Sequence, residues 1–270
     1  MPKSSVQLKV VPRPAPAKRK KRTEDAIPKL EQLISFDAQL RKAYRFRTMI
    51  GLDEVGRGCL AGPVVACAVV LPNIGKRLSK ALELLNDSKQ VSPENRAKLA
   101  THLRKCTKYG IGSASVEEID RINIYYASLL AMRRAVEALV LEHPLDDEAP
   151  VLVLDGKAKI PDIVYKQLPV VGGDAQSASV AAASIIAKVH RDSFMIELSK
   201  ELPHYGWHSN KGYRCDTHVE GIGSHGITIW HRRTFLRKYG YPFDGPEEIE
   251  DVEAIEVIEQ LPLFASSTVE

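Results

Sequence analysis

At 270 residues, with 44% apolar and 27% charged side chains, the sequence has the balance of a globular chain long enough to bury a substantial core. No apolar run approaches the roughly 18 residues that span a bilayer, and the start lacks the apolar stretch of a secretory leader, so a cytoplasmic protein with no membrane partner is expected. Cys59, Cys67, Cys106 and Cys215 are scattered without a Cys-x-x-Cys pair, which argues against a zinc site or a disulfide framework.

The net charge of +4 conceals a strong asymmetry. Residues 1–22 carry eight bases and no acid, interleaved with Pro12, Pro14 and Pro16, and a basic, disordered arm is expected over 1–28. Such an arm is either a solvated tail or a loose contact for nucleic-acid phosphate. Residues 244–270 carry nine acids and no base and read as an acidic disordered tail. Between them, 29–243 reads as one mildly basic domain, which suits a polyanionic partner.

In chain order, the first expected element is an amphipathic helix over 29–44, with Leu30, Leu33, Ile34 and Leu40 near helical spacing. A strand over Met49 to Asp53 then runs into the adjacent acids Asp53 and Glu54 and the turn Gly56-Arg57-Gly58. Successive strand residues face opposite sides of a sheet, so the two acids share a site only if the strand ends or bends there, and the glycines permit the bend. Read alone, the stretch is equally well a solvated acid pair with Arg57 bound to one of them. Val64 to Leu71 reads as a buried strand.

Asn86 to Lys89 follows as a polar turn, and Ser92 as N-cap with Pro93 at the first position opens a helix to Cys106. Residues 109–115 suit a third strand. Ser115 with Glu118 forms a capping box for a long helix whose apolar stripe includes Ile119, Ile122, Leu129, Met132, Val136 and Leu139. Two further apolar strands each end on an acid, Val151 to Leu154 running into Asp155 and Leu168 to Val171 into Gly172-Gly173-Asp174. Ser177 to Leu202 reads as one helix, with Ala181 to Ser184 small enough to lie close on the sheet. Beyond it, His218, His225 and His231 lack metalloprotease spacing and read as hydrogen-bonded structural groups.

Four acids at strand ends form an all-oxygen donor set, which selects hard cations such as Mg²⁺ or Mn²⁺. Two such ions suit phosphodiester cleavage. The sequence has no Walker loop and no Gly-x-Ser-x-Gly elbow, which points away from NTPases and acyl hydrolases.

Six blocks resemble, in order, those of the bacterial ribonuclease HII family: Gly51 to Gly58, Asn86 to Lys89, Val153 to Gly156, Ala182 to Val189, Lys211 to Tyr213 and His231 to Phe235. The resemblance covers about residues 48–240. It implies an α/β fold, a ribonuclease-H-like mixed five-stranded sheet flanked by helices with a C-terminal helical segment. The implied activity is endonucleolytic cleavage of the RNA strand of RNA/DNA hybrids and nicking 5′ of ribonucleotides embedded in duplex DNA, leaving 3′-hydroxyl and 5′-phosphate. Asp53, Glu54, Asp155 and Asp174 are implied to be catalytic and to hold two divalent ions, Mg²⁺ or Mn²⁺. Gly56, Arg57 and Gly58 are implied to detect the 2′-hydroxyl, Tyr213 to stack on the next deoxyribose, and Lys89, Lys188 and Arg191 to contact phosphates. The family implies a monomer.

One departure is Gly172, where the family usually has a lysine two residues before the fourth acid. Asp174, Tyr213 and the short basic arm favour ribonuclease HII over the sister family HIII. In the tail, Gln260-Leu261-Pro262-Leu263-Phe264 resembles the peptide by which bacterial repair proteins bind the sliding clamp, which makes a clamp a candidate partner through Gln260, Leu261, Leu263 and Phe264. Two other readings compete: a DNA nuclease or resolvase on the same fold, which cuts all-DNA duplexes, and a clamp-tethered binding module. Four carboxylates facing phosphate disfavour the binder.

Overall fold

The computed structural model describes residues 30–72, 92–145 and 150–240. The basic arm, the Asn86 to Lys89 turn with Lys89, and the acidic tail with Gln260, Leu261, Leu263 and Phe264 lie outside the described residues.

The sheet is a three-stranded antiparallel meander extended on one side by two parallel strands. β1 (Met49–Val55), β2 (Val64–Val70) and β3 (Lys108–Ala114) form the meander, and β4 (Val151–Asp155) and β5 (Lys166–Val170) continue from β1 in the order β3-β2-β1-β4-β5. β2 is apolar at every position because both of its faces are covered. Val64, Ala66 and Ala68 join the core on one face, and Val65, Cys67 and Val69 join the core on the other. Parallel pairing of β1 with β4 needs a long crossover, and the helices between them provide it.

α1 (Leu30–Tyr44), α2 (Pro93–Cys106) and α4 (Ala178–Glu201) cover one face, and α3 (Val116–Glu142) covers the other. The two expected caps are present, Ser92 accepting from Asn95 N and Ser115 with Glu118 closing a reciprocal box, and Ser177 also caps its helix by accepting from Val180 N. α3 departs from the expected continuous helix. Asn123 has φ 62°, and its side-chain oxygen accepts from Tyr125 N at 2.9 Å and Tyr126 N at 3.3 Å, so it interrupts one segment and caps the next. Asparagine tolerates positive φ better than most residues.

Three short helices, α5 (Trp207–Asn210), α6 (Asp216–His225) and α7 (Arg233–Arg237), follow α4. Leu60, Ala61, Met195, Leu198, Tyr205, Trp207, Ile222 and Leu236 form a separate core that seats them against the second half of α4. Among the described residues, no helix is long and apolar enough to cross a membrane.

Candidate active site

The two neighbours of β1 are unequal in reach. β2 pairs with it as far as Val55↔Val65, whereas β4 pairs only as far as Leu52↔Leu154. β1 therefore does not end at Asp53, as the sequence led us to expect; the antiparallel ladder carries it on, and its other edge opens instead. The same register brings Asp155 alongside Asp53 at that opening.

Alternation then separates the adjacent acids. Ile50 and Leu52 face α3 while Met49 faces the α4 side, so Glu54 starts on the α3 face and Asp53 on the α4 face. Glu54 sits at the open edge and lines depressions on both sides. One, of about 110 Å³, is also bordered by Arg57, Tyr125, Asp155 and Lys157. The other, of about 220 Å³, is bordered by Arg96, Asp174, Ser184 and Lys188.

Asp174 reaches the second depression through a specific turn. Asp155 Oδ1 accepts from Gly173 N at 2.7 Å, and Gly156 N donates to Val170 O at 2.9 Å. These bonds hold the turn Gly173–Ala175 against the ends of β4 and β5, with Gly172 in the left-handed region at φ 68°.

The acids crowd one another. Burial, then the charges of Glu54 and Asp155, push the Asp53 carboxyl well above the usual range, against hydrogen bonds from the Ser184 side chain and from Glu54 N at 2.8 Å. Burial and the Asp155 charge also raise Glu54, opposed by Arg57, whose Nη1 donates to Glu54 Oε1 at 3.1 Å. Among the described residues, no three such side chains already form a closed cage for an ion.

The glycine turn leaves this cluster directly. Gly56 has φ 94°, and a Cβ there would fall 2.2 Å from Arg191 Nε, so both backbone conformation and space demand glycine. Arg57 and Gly58 are exposed beyond it. Arg191 is fully buried, and its three nitrogens donate to Pro63 O, Lys211 O and Ala61 O at 2.9, 2.9 and 3.0 Å. The expected phosphate contact for Arg191 is thus corrected: buried carbonyls at chain reversals require donors, and this guanidinium supplies them.

Tyr213 is 40% exposed and lies 5.8 Å from Lys188 Nζ, which also pairs with Asp192 at 2.7 Å. Burial of its inner part and the neighbouring Cys59 push the phenol up to about 12, so it is a neutral, amphipathic ring at physiological pH.

A ribonuclease HII family model matches residues 50–239. The chain belongs to the ribonuclease HII family. Ribonuclease HII of Fusobacterium nucleatum is 47% identical over 195 residues, covering 72% of this chain and 87% of the relative. Among solved structures, the PCNA:RNase HII complex from Archaeoglobus fulgidus contains a chain 27% identical, with a TM-score of 0.55, covering 69% of this chain and 94% of the other. Bst-RNase HIII in complex with Mn²⁺ matches at 20% identity and a TM-score of 0.55, covering 79% and 71% of the two chains, a likeness of fold. The chain is accordingly a ribonuclease H-type endonuclease, a hydrolase acting on RNA/DNA.

Residues that support the candidate site and the helices around it escaped the sequence reading. Ser184 lies four residues before Lys188, hence on the same helical face, and that spacing was the available signal. Asp37 is 4% exposed and accepts from Ser179 N at 3.0 Å and Ser179 Oγ at 2.8 Å, fixing α1 to the first turn of α4. His218 and His231 are buried structural groups, as expected. Thr228 N donates to His231 Nδ1 at 3.0 Å, the two Nε2 atoms lie 3.2 Å apart, and His218 Nδ1 lies 3.0 Å from Tyr213 O. Trp207 Nε1 donates to His218 Nε2 at 3.0 Å, so His218 Nε2 accepts and its Nδ1–H donates to Tyr213 O.

Proposed function

We propose that this chain cleaves the RNA strand of RNA/DNA hybrids and nicks duplex DNA 5′ of embedded ribonucleotides, leaving 3′-hydroxyl and 5′-phosphate. The observation that carries the reading is the opening of β1 beyond Leu52, where mutually repelling acids stand beside an exposed glycine turn. Asp53, Glu54, Asp155 and Asp174 are the residues to hold two Mg²⁺ or Mn²⁺ ions. Their fit rests on the donor chemistry: all-oxygen ligands, with Asp53 and Glu54 raised by burial and by the charge of neighbouring acids, which Arg57 offsets only in part at Glu54. When bound, such ions supply an activated water and charge stabilisation for the leaving oxygen.

The chain's own groups do the rest. Ser184 and Glu54 N hold the Asp53 carboxylate in place, and Gly173 N holds that of Asp155. Gly56, Arg57 and Gly58 bring backbone groups against the 2′-hydroxyl, with Gly56 required by its left-handed backbone and by the Arg191 side chain packed beneath it. Tyr213 packs on the following deoxyribose, and Lys188, with Lys89 from outside the described residues, offsets phosphate charge. The catalytic unit spans 29–243 as one domain and acts as a cytoplasmic monomer.

The test is incubation with Mg²⁺ or Mn²⁺ and a DNA duplex carrying one ribonucleotide, beside an all-DNA control. Cleavage of the first alone is expected. Cleavage of both favours the DNA-nuclease reading, and cleavage of neither refutes the proposal.

A sliding clamp is the proposed partner of residues 260–264. The support is the peptide pattern and the similarity to an archaeal chain solved with PCNA. Clamp affinity of the full chain against one truncated after Ile258 decides it, and equal affinities refute it.

A further inference from the structure

Two fully buried arginines tie together the parts of the site that read the substrate. Arg191 spans the two loops: Nη2 and Nε donate to Ala61 O and Pro63 O behind the glycine turn, while Nη1 donates to Lys211 O, two residues before Tyr213. Its stem lies directly under Gly56. Beside it, Arg232 Nε donates to Gly62 O at 2.9 Å and Nη1 to Arg57 O at 3.0 Å. Leu60 N and Ala61 N complete the junction by donating to Gly212 O at 2.8 and 3.3 Å.

We propose that Arg191 is a positioning residue for substrate choice, which sets the spacing between the Gly56–Gly58 turn and Tyr213 and so the reading of the ribonucleotide-to-deoxyribonucleotide junction. The inference rests on the roles given above to that turn and to Tyr213. A guanidinium suits the task because its planar fork directs donors along several fixed lines at once, which a single ammonium cannot do. All of its nitrogens are committed to backbone carbonyls in the two loops, so a shift of either loop relative to the other breaks at least one bond. Tyr213 is held on its far side by His218, so the ring's place follows from the backbone that Arg191 holds. Arg191 has no exposed surface and touches no substrate; it acts through the loops.

The experiment uses the full chain, with Arg191→Lys, Tyr213→Ala and the double variant. Each is assayed on a duplex with one embedded ribonucleotide and on a continuous RNA/DNA hybrid, with thermal midpoints measured in parallel. A junction lies at a fixed place only in the first substrate, and misplacement of the reading groups there is expected to lower kcat/KM by at least about tenfold more than on the hybrid. In the Tyr213→Ala background, Arg191→Lys is expected to leave the ratio between the substrates unchanged. An equal loss on both substrates, or a further change of ratio in the double variant, overturns the inference, because mere loosening of the fold affects both substrates alike. If wild-type protein fails to distinguish the single-ribonucleotide duplex from all-DNA, the functional reading fails instead. Should Arg191→Lys not fold, Gly212→Ala carries the test: its methyl would lie 2.5 Å from Ala61 O and displace the Tyr213 loop with Arg191 intact. The same selective loss is expected there, and a uniform loss overturns the proposal.

Discussion

Adding one methyl at Gly51 tests how closely the sheet and α4 are matched. A Cβ at this position would lie 2.3 Å from Ser179 C, 2.6 Å from Ser179 O and 2.6 Å from Val180 N. Carbon atoms in contact sit about 3.5–4.0 Å apart, so strand and helix must separate by roughly 1 Å. All three atoms are backbone, and no rotamer change relieves them. Ser179 is also the residue that Asp37 holds from α1, so the displacement strains three elements together. Overpacking in a core costs about 1–3 kcal/mol, and this backbone collision belongs at the upper end. For a chain of this size, about 3 kcal/mol lowers the thermal midpoint by roughly 6–12 °C. Circular dichroism melts of Gly51→Ala against wild type measure it. A midpoint within about 2 °C of wild type would show that α4 moves freely and refute the argument. If the fold survives by shifting α4, Ser184 leaves Asp53 and cleavage falls with it.

Asp53→Asn is expected to abolish cleavage yet raise the thermal midpoint, since it removes a buried, repelled charge; retained cleavage refutes the site assignment. Burial, then the His218 charge, pulls His231 from 6.5 down to about 3, so the folded state favours neutral imidazole. That contribution is present above pH 6.5 and is lost as pH falls towards 3, at up to about 1.4 kcal/mol per pH unit. Asp53 has the opposite sign, its raised carboxyl favouring the fold at low pH, so the histidine effect is read as a difference. Denaturant titrations between pH 6.5 and 4 are expected to show wild type losing more stability than His231→Asn, and parallel slopes refute the burial of a neutral His231 as the cause. Asp120 on α3 accepts from Arg233 N, Thr234 N and Thr234 Oγ1 at 2.9, 3.0 and 2.6 Å, capping α7 from another element. Asp120→Ala is expected to cost about 1–2 kcal/mol, and no change in the denaturant midpoint counts against that cap.

Local signals carried much of the architecture. The capping residues Ser92, Ser115 and Ser177 stand where the helices begin, and each of the five strands lies within a few residues of its expected place. What the sequence could not show was set by distant partners. β1 runs past Asp53 because β2, not its own residues, continues the ladder. Arg191 was expected on phosphate from the family resemblance alone, and only tertiary packing shows the carbonyls it serves. No local pattern marks Asp37 or Asp120, yet each accepts from backbone N–H groups more than a hundred residues away. The acids of the candidate site stood out in the sequence because each follows an apolar run, although only Asp155 ends its strand, whereas Ser184 was hidden among the small residues of α4.

The edge position of β5 bears on how this protein would fail under stress. β5 has one neighbour, no fully buried residue, and Pro169 within it, whereas β2 is enclosed on both faces. Edge strands of this kind open at lower free energy than the centre of a sheet. The turn bearing Asp174 follows β5 directly and is anchored through Gly156 to Val170 and through Asp155 to Gly173. Fraying of that edge would therefore carry Asp174 away from the other acids while the meander and α3 stay folded. Heat inactivation becomes a local event that precedes melting, recoverable on cooling so long as the meander holds.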